Sequence, residues 1–543
     1  MLSTCPNLVG GVSSCGQLAN SDHDMVMSEL LLPVKASESV ETVPDYGKAD
    51  FNKIREFLVE IDWFEVLEGL NTEESWDSFK HILQETVDKC VPTKIRRSST
   101  KPLWMKPNII RKIRKKRRVW RWYQSTKEYI AWQAYKKIQQ EVSKAVKNAK
   151  KSFERKLAKN SKKNPRAFWA HINKSTKSRP TVGPLKNKNG EMQTEDKPMA
   201  DLLNNFFSSV FTKEDMTNFP NAEQIFTGED PLASVHICPE KVKEKLAKIR
   251  PNSAPGPDKI FPRIVHNLKE ELSIPLTIIF NRSMKEGVVP KDWQIANVMP
   301  TYKGKGSKTD PGCYRPVSLT SIICRTMEGL LKDAIVDHLV KHKLIRTSQH
   351  GFVPGRSCVT NLLEYLDKMT ELYDQGHSVD IFYLDFAKAF DKVPHARLLA
   401  KLRGHGITGE VATWIEAWLS GRQQRVVLNG SSSDWEDVTS GVPQGSCLGP
   451  ILFVIFIDDI DTAVNMDGLF MSKFADDTKT ARVVDTDVEA SVLQEDLNGL
   501  SAWAKTWQMA FNVDKCKVIH VGRNNAGRDY FMDGKKLIVV EEE

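Results

Sequence analysis

With 543 residues, 40% of them apolar, the chain can fill three or four domains or subdomains with sizeable cores. Its longest apolar run, 448–457, is about half the ~20 residues of a membrane span, and no basic stretch precedes an apolar core at the N-terminus, so neither a membrane partner nor secretion is expected. The nine cysteines form no C-x-x-C pair, which argues against a zinc site or a disulfide frame. The net charge of +9 is unevenly spread, because residues 111–166 hold 21 Lys/Arg against three Glu.

Residues 1–50 are weakly patterned, and Ser21-Asp22-His23 reads as a loop. Ile54, Phe57, Leu58 and Ile61, then Trp76, Phe79, Ile82, Leu83 and Val87, recur at helical spacing. They predict two short amphipathic helices over 51–92, with Asn71-Thr72-Glu73-Glu74 capping the second. No Gly or Pro interrupts 108–164, which predicts one long helix or a helical hairpin. There Trp120, Trp122, Tyr123, Tyr129, Trp132 and Tyr135 interleave with Arg117, Arg118, Arg121, Lys136 and Lys137. Such a surface holds phosphates and stacks on bases, unless its rings pack on the protein instead. Arg111 to Arg118 also has the make-up of a nuclear import signal. Residues 174–200 read as a linker, 201–207 as the start of a helix, 253–258 as a stiff turn and 272–284 as a helix. A strand over 293–303 then runs into a basic loop.

The chemistry-bearing residues lie beyond this point. Lys303, in Tyr302-Lys303-Gly304-Lys305-Gly306, and Arg315 have the charge to cradle a triphosphate, or are ordinary loop cations. The aromatic and β-branched run 378–386 is a strand that brings Asp385 to its end. Phe390, five residues on, either packs under a bound sugar and excludes a 2′-hydroxyl or belongs to the core. In Ser440-Gly441-Val442-Pro443-Gln444-Gly445-Ser446 the glycines let backbone approach a ligand, and Gln444 offers a donor and an acceptor. Asp458-Asp459 reads as a helix end. Phe474-Ala475-Asp476-Asp477 lies between two apolar flanks, and Asp-Asp is a good turn pair, so a β-hairpin with two carboxylates at its tip is expected. With Asp385, these acids suit two Mg²⁺ ions roughly 3.5–4 Å apart, the clamp of in-line phosphoryl transfer. Lys515, after the Trp503/Trp507 helix, is either a surface lysine or a proton donor to a leaving pyrophosphate.

Taken together, Tyr314 to Leu319, Gln349-His350-Gly351-Phe352, Leu384 to Asp391, Gly441 to Ser446 and Phe474 to Asp477 resemble the reverse transcriptase of non-LTR (LINE-type, jockey-like) retrotransposons. The resemblance covers roughly 200–522, and more loosely everything from 21 onward. It implies an α+β right-hand polymerase with fingers, a mixed palm sheet and a basic, mostly helical region ahead of them. It implies Asp385, Asp476 and Asp477 as catalytic acids, with Asp385 and Asp476 as the direct ligands of two Mg²⁺ ions (Mn²⁺ as substitute). It further implies dNTP contacts from Lys303, Arg315, Phe390, Gln444 and Gly445, and an RNA template with a DNA primer or target as partners.

The expected layout is an endonuclease remnant over 1–30, a linker with short helices over 31–107 and a basic nucleic-acid-binding segment over 108–173. A linker over 174–200, an extension of the fingers over 201–300, fingers and palm over 301–522 and the start of a thumb over 523–543 complete it. Ser21-Asp22-His23 resembles only the closing motif of the family's endonuclease, and Glu541-Glu542-Glu543 falls about where a thumb would be starting, so a copy truncated at both ends, a decayed copy or a partial gene model is expected. An RNA-binding remnant without turnover is the alternative to an active polymerase. An RNA-templated RNA polymerase shares the palm, but Phe390 argues against it. A ribonucleoprotein of nucleus and cytoplasm is the expected setting.

Overall fold

The computed structural model describes residues 9–17, 24–30, 42–95, 102, 104–161, 164, 168, 171–172 and 182–541. Ser21-Asp22-His23 lies outside them. The chain forms two compact units, one of residues 1–49 and 91–177, the other of residues 50–90 and 178–543.

The first unit is dominated by two long helices, Pro107–Thr126 and Tyr129–Lys159. The hairpin expected from the lack of Gly and Pro is made without either residue. Lys127 takes the left-handed conformation (φ 56°) that glycine would normally supply, and its N–H caps the carbonyl of Tyr123 at 2.8 Å. Four rings hold the helices together. Trp120 lies 4.7 Å from Tyr135, and Tyr123 lies 5.1 Å from Trp132, centroid to centroid. Those aromatics therefore fill the seam of their own hairpin, while Trp122 and Tyr129 remain exposed.

In the second unit, residues 51–90 form three helices, Phe51–Val59, Trp63–Val66 and Thr72–Cys90, where two were expected. Asn71 caps the last one as expected, by a reciprocal pair: its side chain accepts from the N–H of Glu74, and its own N–H donates to the Glu74 carboxylate. Trp76 is fully buried, packs edge-on against Trp293 at 5.2 Å and donates to Asp292. Trp293 itself closes a short helix, Lys291–Gln294, so the strand begins only at Ile295.

Within 174–200, the described residues hold a small hairpin (Leu185–Lys186 with Met192–Gln193) and the start of the helix Asp196–Ser208. Leu185, Met199, Leu203 and Phe207 are buried against Val298, Tyr314 and Val426 of the first large sheet. That sheet orders its strands 431–432, 423–428, 295–302 and 314–319. Residues 423–428 run parallel to 295–302, which pairs antiparallel with 314–319.

The second large sheet has the order 469–474, 477–483, 379–384, 517–521 and 538–539. It is antiparallel except for its last pair, so the mixed α/β fingers-and-palm architecture is borne out. Val379, Ile381 and Ala481 pack beneath the helix Cys358–Asp374 on one face. The fully buried Asp380, facing the other way, accepts from Tyr530 Oη, His520 Nδ1 and Asn525 Nδ2 at 2.6–2.7 Å. These bonds tie the segment after 522 to the palm.

Candidate active site

The central strand Val379–Leu384 and the hairpin Leu469–Phe474/Asp477–Val483 position the acids. Thr478 pairs with Leu384, which leaves Asp477 and Asp385 each one residue beyond that pair, and both line one cleft. Alternation along the strands puts both on the face that carries Ile381 and Ala481. Phe474 pairs with Asp477, which makes Ala475-Asp476 the two-residue turn. The expected hairpin is there, but Asp477 opens the return strand, and Ala475 (φ 56°) supplies the left-handed turn residue instead of the Asp-Asp pair.

Asp385 is fixed from behind. Its carbonyl accepts from the N–H of Asn512 at 2.7 Å, Ala387 N–H donates to Ala510, and Phe386 stacks on Phe511 at 4.3 Å. The turn that makes these contacts delivers Lys515, whose Nζ sits 2.8 Å from Asp385 Oδ2.

Burial, followed by repulsion from Asp477 and Asp385, raises the Asp476 carboxyl above the usual range. Burial and Asp385 raise Asp477. Among the described residues, no three His, Cys, Asp or Glu side chains converge into a ready-made metal cage. The Asp385 carboxylate is instead taken by Lys515. The donor set nevertheless fits a hard divalent cation: three carboxylates on adjacent backbone positions, oxygen ligands throughout, and mutual repulsion that a cation would relieve.

Lys303, Lys305, Arg315, Lys515 and Lys517 line the same cleft, about 930 Å³, as Asp385 and Asp477. Lys303 Nζ donates to the Gly312 carbonyl at 2.7 Å. The remaining predicted substrate residues lie beside a neighbouring hollow. Phe390 and Gln444 line it together with Pro316, Ser318 and Gly441. Phe390 stacks on Phe453 at 4.6 Å and 15°, so one of its faces is used in packing. Gln444 accepts from Ser318 N–H through its backbone carbonyl at 2.8 Å. Gly445 (φ 117°) rides so close to that strand that a Cβ would meet Ser318 O at 2.7 Å.

Asp458 and Asp459 are a helix end, as expected: they open a 3₁₀ helix, Asp458–Ala463, after Gly449–Ile457. They are also buried and paired. Lys401 Nζ meets Asp459 at 2.6 Å inside a cage of Phe456, Trp503 and Trp507, and burial lowers its pKa to about 8. Lys473, fully buried on the 469–483 hairpin, donates to Asp461 and to the Asp458 carbonyl.

Sequence reasoning quoted Lys388 only within a motif. The residue is left-handed (φ 55°), lies over the Phe206 ring at 5.0 Å, and has its pKa lowered by burial and then by Lys303.

Residues 304–536 match the family described as reverse transcriptase (RNA-dependent DNA polymerase). They form a reverse transcriptase domain. The chain carrying this domain is homologous to non-LTR retrotransposon polymerases. It is 26% identical over 92% of its length to the RNA-directed DNA polymerase from mobile element jockey of Drosophila melanogaster, of which it covers 56%. It is also 26% identical, over 61% of its length and 38% of the relative, to the probable RNA-directed DNA polymerase from transposon BS of the same fly. To the Pol polyprotein from type-2 element R2DM it is 25% identical over 39% of its length and 20% of that protein. The chain thus spans about half the length of the jockey proteins it matches.

Proposed function

We propose that this chain is an RNA-directed DNA polymerase that extends a primer 3′-hydroxyl with dNTPs on an RNA template, in the service of retrotransposition. The observation that carries the reading is that Asp385 and Asp477, each one residue beyond the Leu384–Thr478 pair, line one cleft, with Asp476 in the adjoining turn, inside a reverse transcriptase domain.

Asp385, Asp476 and Asp477 would hold two Mg²⁺ ions, or Mn²⁺ in their place. When bound, the ions supply the charge neutralisation and alignment that phosphoryl transfer needs. Lys303 and Arg315 bind and orient the triphosphate, Lys as a point charge and Arg as a fork. Lys515 Nζ carries a proton within reach of the site and delivers it to the departing pyrophosphate. Phe390, braced by Phe453, presents its free face to the sugar and excludes a 2′-hydroxyl. Gln444 and Gly445 bring backbone close to the substrate. The basic helical hairpin holds RNA through phosphates, and Arg111 to Arg118 serves nuclear entry.

Purified protein supplied with a primed RNA template, dNTPs and Mg²⁺ extends the primer, and Asp476→Asn abolishes extension. Extension by that variant at the parental rate would discard the assignment. RNA binding by the parent without any extension would favour a binding remnant.

A further inference from the structure

The hairpin tip is held by a segment to which the polymerase reading assigns no role. Residues 348–350 run alongside Lys473 as a parallel bridge: Lys473 N–H donates to Ser348 O at 2.7 Å, and His350 N–H donates to Lys473 O at 2.8 Å. Asn361 Nδ2 adds a bond to Ser472 Oγ at 2.5 Å. Gly351 then passes directly under the turn, where a Cβ would lie 2.3 Å from the Ala475 nitrogen. Between these contacts sits Gln349, with no exposed surface. Its Oε1 accepts two backbone N–H groups, that of Gly351 at 2.7 Å and that of Ala475 at 3.0 Å. Because both partners are donors, the oxygen must face them.

The second bond matters most. Ala475 is an L-residue held left-handed (φ 56°) with its N–H out of water, a conformation that needs an external restraint to persist. Gln349 supplies that restraint one residue before Asp476 and two before Asp477. Asp385, by contrast, is fixed independently by the 510–512 turn.

We propose that Gln349 is a positioning residue for the polymerase reaction. Its buried carboxamide oxygen locks the Ala475-Asp476 turn and thereby sets Asp476 and Asp477 against Asp385. This rests on the proposed activity for its consequence, but the restraint itself is a property of the folded chain.

The test compares the parent with Gln349→Leu, which removes the acceptor, and Gln349→Glu, which keeps it. Three quantities are read: hydrogen–deuterium exchange of the peptide spanning 474–478, Mn²⁺ affinity by electron paramagnetic resonance, and primer extension. Gln349→Leu should speed exchange at the tip at least tenfold while 469–472 and 479–483 stay protected, and should weaken Mn²⁺ binding. It should lower kcat by about 10²-fold with little change in KM for dNTP, the signature of misplaced catalytic groups. Gln349→Glu should recover the tip's protection.

If Gln349→Leu fails to fold, Gln349→Asn carries the same expectation, because it withdraws the acceptor by one methylene. The proposal is overturned if the folded variant lacking the acceptor keeps tip exchange and Mn²⁺ affinity at the parental level. It is also overturned if exchange rises uniformly over 469–483 with the melting temperature falling in step, or if Gln349→Glu exchanges at the tip as fast as Gln349→Leu. A parent that extends no primer would refute the polymerase reading alone, since exchange and Mn²⁺ binding still report on Gln349.

Discussion

Lys515 Nζ and Asp385 Oδ2 lie 2.8 Å apart, joined across 130 residues of chain. The turn that carries the lysine is the one whose Asn512 N–H holds the Asp385 carbonyl. The ammonium therefore arrives with the acid already in place. If Lys515 hands its proton to pyrophosphate, Lys515→Gln lowers primer extension by about 10²–10⁴-fold, the range of general-acid catalysis. Pyrophosphorolysis must fall by the same factor, because the reverse reaction uses the same group. Extension by Lys515→Gln at the parental rate would show that the lysine gives no proton to the leaving group.

Asp258, in the stiff turn before the fingers, is buried, and burial raises its carboxyl to about 6 despite bonds from Ser321 and Ile260 N–H. Folding thus favours its protonated form. The favourable contribution is present below the ordinary carboxyl range and is lost as pH rises through 6, a swing of about 3 kcal/mol. Asp258→Asn keeps the acceptor for Ile260 and removes the titration. It should raise stability near neutral pH by about 1–3 kcal/mol, an advantage that roughly halves at pH 5. Urea midpoints at the two pH values check this; a pH-independent difference would contradict it.

Lys473 sits at 0% exposure on the hairpin strand that leads to the Ala475-Asp476 turn. Replacing it with Met leaves the buried Asp461 with only the Ser348 hydroxyl at 2.6 Å. An uncompensated buried charge of this kind costs about 3–5 kcal/mol. Denaturant unfolding of Lys473→Met should show that loss, and Lys473→Met combined with Asp461→Leu should recover much of it. A single-variant loss below about 1 kcal/mol would mean that the pair is not buried in solution.

The basic hairpin packs Trp120, Tyr123, Trp132 and Tyr135 against one another, so in the proposed RNA-binding role the contacts fall mainly to lysine and arginine. Binding should be indifferent to sequence and should weaken by about 10²–10⁴-fold between ~50 and ~200 mM salt. Neutralising Arg114, Lys115, Arg117 and Arg118 together should flatten that salt slope. Tyr135→Ala should instead lower the thermal stability of the hairpin. Titrations of a labelled RNA against each variant separate the two effects.

The parts legible in the sequence were those where local chemistry agrees with the fold. The strand to Asp385, the hairpin at 474–477, the Asn71 cap and the helix end at 458 all carried their own signals. What escaped notice was set by distant partners. Lys127, Lys388 and Ala475, among nine such non-glycine residues in the described chain, hold left-handed backbone that no local pattern announces. The aromatics of 120–135 looked like a stacking surface because composition cannot say which ring faces which. Leu185, amid a Lys/Pro/Gly/Thr-rich stretch, gave no hint that it is fully buried among the fingers strands. Gln349 looked like part of a family motif and nothing more, since only the fold reveals that its side chain reaches a turn 126 residues away.

Those long reaches bear on how the protein is made. Gln349 to Ala475, Asp385 to Lys515 and Asp380 to Tyr530 are separated by 126, 130 and 150 residues. No short fragment emerging from a ribosome can assemble the acid cluster, because Lys515 and Tyr530 are translated more than a hundred codons after the residues they hold. Such non-local closure makes for slow folding. Translation speed should therefore affect the yield of folded protein.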